Sequence, residues 1–165
     1  MSLRISTLPK LFRIAAVTAS ACIGVVAAPA MAAPDCVGPP SDTWLNIAVD
    51  GVKSGEGQIA ATLYADNSSK FLVKHGSMYV GRVPATAGET RLCLFVPKPG
   101  VYAIAVYHDQ DSSGTINRGG LLGIPTEGFG FSNNPPTIAS LPSFRSVRIS
   151  IPRANLSTRI HLKYP

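Results

Sequence analysis

From residue 43 onward, apolar side chains recur at every second position far more often than at every third or fourth. That period limits the chain to β-structure, because alternate residues of a strand face opposite sides of a sheet. Leu45, Ile47 and Val49 share one face, followed by Ile59, Ala61 and Leu63, then by Leu92, Leu94 and Val96. Near the C-terminal end Val147, Ile149 and Ile151 read as one strand, and Ile160, Leu162 and Tyr164 as another. The run SMYVGRVPA reads as an edge strand, since Pro84 has no N–H to give to a ladder. Helical periodicity is nearly absent; DNSSKFL, with Asp66 or Asn67 as N-cap, is the one place for a helical turn. About seven short strands separated by turn signals predict an all-β fold, an antiparallel β-sandwich.

One strand differs from the rest. In VPKPGVYAIAVYHD, Tyr102, Ile104 and Val106 alternate with Val101, Ala103 and Ala105, so both faces are apolar and both must be covered. This strand delivers His108 and Asp109 to its end. After a polar loop comes a long aperiodic stretch, 121–144, with one charge, Glu127, but with Leu121, Leu122, Ile124, Phe129 and Phe131. Its apolar content predicts an ordered flap closing one end of the sandwich.

The start of the chain has another character. Arg4, Lys10 and Arg13 precede a small apolar run that ends in Ala30-Met31-Ala32, the pattern of a signal peptide cleaved after residue 32. The apolar run falls short of the roughly 20 residues of a spanning helix. The expectation is an exported, periplasmic or secreted protein whose single domain is 33–165, a monomer with no transmembrane segment once cleaved. Of fifteen basic residues, three leave with the leader, so the mature chain carries twelve against nine acidic ones, a net +3. Arg145, Arg148, Arg153, Arg159 and Lys163 are spread along outer faces, where a nucleic-acid site would cluster them. Two cysteines remain in the mature chain, Cys36 and Cys93, and an oxidising compartment predicts that they pair.

The loop HDQDSSGTINRGG admits three readings. As an oxygen-ligand loop it sets Asp109, Asp111 and Ser113 at positions one, three and five, Gly114 at six and the Thr115 carbonyl at seven, the first half of an EF-hand. Gly120 stands where that loop needs a bidentate glutamate, so Glu127 from the flap is the candidate final ligand for a weakly held calcium ion. As a plain turn, Asp109 and Asp111 cap backbone N–H groups and His108 only packs. As a hydrolase site, His108 would act as base beside the carboxylates, but adjacent strand residues diverge and Ser132 lacks a nucleophile elbow.

Gly100, Tyr102, Ala103, Val106, His108 and Asp109, followed by Gly123, Pro125, Glu127, Gly128, Phe129, Gly130, Phe131, Ser132 and Asn133, resemble the signature of the bacterial domain-of-unknown-function family 2141. Asp111 and Ser113 depart from its loop pattern, which bears on metal affinity. The resemblance implies an exported β-sandwich, transthyretin-like or immunoglobulin-like, and supplies no activity. The leading expectation is a non-catalytic module that binds a small ligand or envelope partner through His108, Glu127, Phe129, Phe131 and Asn133. A purely structural envelope protein and a hydrolase are the alternatives.

Overall fold

The computed structural model describes residues 35–119, 124–137 and 141–165. The chain divides into two units, Met1–Ala32 and Ala33–Pro165. The first unit, with the expected signal peptide, lies outside the described residues, as do Leu121, Leu122 and Gly123 of the flap and the side chain of Ile124. No helix of the described residues is long and apolar enough to cross a membrane.

The second unit is an all-β sandwich. Its smaller sheet is built from β1 (Thr43–Val52), β4 (Gly88–Val96) and β10 (Leu156–His161), in the order β10-β1-β4. The larger is built from β2 (Gln58–Ala65), β3 (Tyr79–Pro84) and β5 (Gly100–Asp109), with β8 (Phe129–Phe131) and β9 (Arg148–Ile151) sharing the far edge of β5. A two-residue pair, β6 (Arg118–Gly119) and β7 (Ile124–Pro125), stands apart and ties the end of the polar loop to the flap. The seven expected strands are present, though the last ends at His161 and leaves Leu162 and Tyr164 beyond it, and β3 is at an edge as its proline requires. Among the named strands of the described residues one pairing departs from the antiparallel rule: β1 and β10 run parallel, Leu45 opposite Leu156 and Val49 opposite Ile160. This is open to them because no turn joins them; they lie at opposite ends of the sequence.

The alternating residues meet between the sheets. Leu45, Ile47, Val49, Ile59, Leu63, Leu94, Ile104, Val106 and Ile160 are all 1% exposed or less. The second apolar face of β5 is covered, as its composition demands. On the outer side of the larger sheet, Tyr64, Phe71, Ala103, Phe131 and Val147 form a separate cluster. Two single turns supply the cover. One is the 3-10 turn Ser68–Lys70, whose N-cap Asn67 accepts from the Ser69 N–H at 3.0 Å. The other is α1 (Phe144–Val147), whose last residue the sequence assigns to a strand. Val147 therefore does not share a face with Ile149 and Ile151; it is buried in the outer cluster, while Ile151 belongs to the main core. Buried Ser132 locks the two parts together, accepting from the Ile104 N–H at 3.1 Å and donating to the Val147 carbonyl.

Cys36 and Cys93 are bonded, with Cα atoms 4.5 Å apart. The arm they hold runs along the edge of β4: the Val37 N–H donates to the Cys93 carbonyl at 2.8 Å, and the Phe95 N–H to the Val37 carbonyl at 3.1 Å. Val37 lies so close to β3 that a Cβ at Gly81 would stand 2.4 Å from its methyl group. A larger residue there would have to displace Val37 and Leu94.

Candidate functional site

The end of β5 splits its last two residues between the faces of the sheet. His108 follows Tyr102, Ile104 and Val106 to the core side and is fully buried. Its Nε2 lies 2.8 Å from the Glu56 carbonyl, which can only accept, so Nε2 carries the proton. Nδ1 then accepts from the Tyr164 hydroxyl at 2.7 Å, and the same hydroxyl oxygen accepts from the Lys53 N–H at 3.1 Å. Every polar atom of the ring is used, and the loop between β1 and β2 meets the C-terminal segment on it. His108 is a structural hub rather than an open base.

Asp109 takes the outer side and is 1% exposed. Its carboxylate accepts from the N–H groups of Ser113 and Gly114, both at 2.9 Å, and so bends the loop back on the strand. Asp111 repeats the device outside, accepting from the Ser113 N–H at 3.1 Å and the Asn117 amide at 2.8 Å. Glu127 reaches in from the flap, 4% exposed, and accepts from the Gln110 N–H at 3.0 Å and the Asn117 N–H at 2.8 Å, so one carboxylate holds both ends of the loop. Arg82 of β3 donates to the Gly114 carbonyl at 2.8 Å and to the Tyr107 hydroxyl at 3.2 Å. At Gly57, with φ +67°, a Cβ would stand 2.0 Å from the Asp109 carbonyl oxygen, so the β1–β2 loop, which crosses from the smaller sheet to the larger, can approach only as glycine.

Oxygens of Asp109, Asp111 and Glu127 all lie within 4.8 Å of one another, the grouping the sequence proposed around a cation. Two other expected ligands are turned to the loop itself. The Ser113 hydroxyl donates to the Thr115 carbonyl at 3.0 Å, the oxygen assigned to position seven. Asn117, overlooked from sequence, stands at position nine of the same count, where an EF-hand places a ligand or its water. Asn133 is elsewhere: with φ +66° it donates to the Ser146 carbonyl at 3.3 Å and to the Arg148 carbonyl at 2.7 Å, fastening α1 to β9.

Phe129 and Phe131 flank a different feature. On the outer face of the larger sheet a cavity of about 260 Å³ is lined by Tyr64, Leu72, Val73, Phe129, Phe131 and Leu141. Val73 and Leu141 are 49% and 45% exposed, two of three large apolar side chains so exposed among the described residues. Leu72 has φ +55°, a left-handed backbone that a bulky side chain adopts at a cost. From sequence these residues carry only an interrupted apolar pattern, LVK, and nothing marks them as one side of a cavity.

A β-sandwich with a carboxylate-braced loop at one strand end and an apolar cavity on one outer face is the class these features define. The chain belongs to the family described as uncharacterized protein conserved in bacteria (DUF2141), whose model matches residues 47–159. No curated protein and no solved structure matches it.

The surface carboxylates set a pH dependence. The amide of Asn117, with the Ser113 hydroxyl and N–H, holds Asp111 below its ordinary 3.8. Arg148, at 2.7 Å, does so for Asp66, and Arg159 for Glu89. A depressed folded pKa contributes stability that is complete above the unfolded value and is lost as pH falls through the folded one. The melting temperature is therefore expected to be level above about pH 5 and to decline through and below pH 4. Asp66→Asn should flatten part of that decline, and an unchanged acid limb in this variant would remove Asp66 from the account.

Proposed function

We propose that the protein is an exported, non-catalytic binding module that takes a small ligand on the flap-side face of its larger sheet. The observation that carries this reading is the cavity lined by Phe129 and Phe131, with exposed Val73 and Leu141 at its mouth. Exposed apolar side chains gathered at one concavity are a feature of binding sites more than of bare structural surface. Against a hydrolase stands His108, buried with both ring nitrogens engaged, and Ser132, whose hydroxyl is consumed between β5 and α1. Native mass spectrometry of the protein from periplasm tests the reading directly. A mature chain beginning at Ala33, two hydrogens lighter than its reduced sequence and carrying a small-molecule adduct, is the expected spectrum. A chain still bearing its leader would overturn export, and one without adduct that shows no saturable binding to any small apolar probe would overturn the module.

The convergence of Asp109, Asp111 and Glu127 favours a second element of the same proposal, a weak calcium site in the loop. Each carboxylate oxygen that accepts a single N–H keeps a lone pair for an ion. With two buried carboxylates and one exposed, the dissociation constant belongs at the extracellular end of the calcium range, roughly 0.1 to 1 mM. At about ten times that value a native-state ligand stabilises by about 1.4 kcal/mol. Millimolar calcium should raise the melting temperature by several degrees, equal magnesium should do little, and Asp111→Ala should abolish the response. If calcium leaves the wild type unmoved, the loop is a turn and nothing more.

A further inference from the structure

The same cavity selects the chemistry of its occupant. Its walls are apolar: aromatic rings from β2 and β8, and Leu72, Val73 and Leu141 from the segments that cover the sheet. Its charged lining among the described residues is of one sign, Lys74 and Arg118, with no carboxylate. Lys74 follows Val73 directly, so the exposed apolar mouth and a cation lie side by side. A volume near 260 Å³ is just under the range of roughly 300 to 1,000 Å³ typical of sites for drug-sized ligands, which suits a short, slender molecule. Leu72, with φ +55°, stands in one wall, and the bonded register of Ala105 with Phe131 forms the floor. By contrast, a larger cavity of about 540 Å³ on the smaller sheet sets Asp35 against Arg91 and offers no preferred charge.

We propose that this cavity binds a small amphipathic anion, its apolar body against Tyr64, Leu72, Phe129 and Phe131 and its acid head at the rim beside Lys74. The inference rests on the reading of the chain as a binding module, but not on the calcium loop, and it holds in the presence of a chelator. The head is placed where an ammonium can meet it without leaving water, so the charge contributes selectivity and orientation while the apolar walls supply the affinity.

The test is an amide chemical-shift titration of the purified, isotope-labelled protein in EGTA with octanoate and, separately, with 1-octanol. Octanoate should saturate one site, moving the amides of Leu72, Val73, Phe129 and Phe131, and octanol should bind at least tenfold more weakly. Lys74→Glu, a change at an exposed position, should weaken octanoate at least fivefold and leave octanol unaltered. Ala105→Phe, which fills the cavity from its floor, should abolish both, and if that variant fails to fold, the Lys74→Glu comparison decides alone. Equal affinity for acid and alcohol overturns the anion while the module stands; saturation by neither overturns both. Sedimentation with phosphatidylglycerol vesicles separates the sources of an acidic head. Binding to vesicles without any octanoate shift would overturn the cavity in favour of a membrane surface.

Discussion

Replacing Phe131 with alanine is expected to cost about 3 to 5 kcal/mol, the range for removing a large aromatic from a packed interior. The ring is 4% exposed and lies edge-on to Phe71 at 6.2 Å and to Phe129 at 6.0 Å, so its loss leaves a void walled by other rings and not a surface that can collapse. At about 3 to 5 °C per kcal/mol for a domain of this size, the melting temperature should fall by roughly 10 to 20 °C. Urea denaturation reads the free energy directly. A loss under about half a kcal/mol would show that the outer face of the larger sheet is not a second core.

Opening the disulfide should come next in size. Cys36 and Cys93 are 57 residues apart, and closing a loop of that length restricts the unfolded chain by up to about 4 kcal/mol. The paired Cys36→Ser and Cys93→Ser variant should therefore unfold at a clearly lower urea concentration. It should still fold cooperatively, because the main core draws its fully buried side chains from strands of both sheets, and the arm contributes only Val37 at their margin. Reduction of the native protein should match the double variant. Two thiols titrating in native protein purified without reductant would contradict the pairing outright.

The strands were legible because each has a buried face, and burial of one face writes a period of two into the sequence. The apolar run in β5 likewise announced that something lies on its outer side. What was not legible is the identity of that cover. Phe144–Val147 is a single turn, too short to display a helical period, and its β-branched Val147 reads as the first residue of the strand that follows. The strands inside and just before the flap are two or three residues long and interrupted by glycine and proline, so no alternation can show. At the candidate site, the carboxylates and their approach from loop and flap were readable as a ligand pattern. The capping of backbone N–H groups by Asp109 and Asp111 was equally readable, as a plain turn; what was not is that Glu127 does the same from the flap, since its partners are N–H groups that every residue carries. Nor was the role of His108, whose partners Glu56 and Tyr164 lie 52 and 56 residues away.

The parallel union of β1 and β10 has a consequence in time. The first strand of the domain is flanked by β4 on one side and by the last strand on the other, with Leu45 beside Leu156 and Asp50 beside His161. The smaller sheet cannot be completed until nearly the whole chain is available, and its closing step must bring together segments more than a hundred residues apart. Chains dominated by such distant pairings reach the native state in milliseconds to seconds, orders of magnitude slower than helical bundles. For a protein exported as proposed, that delay is an asset. A polypeptide without its final strand stays open, and an open polypeptide can still be threaded through a narrow channel.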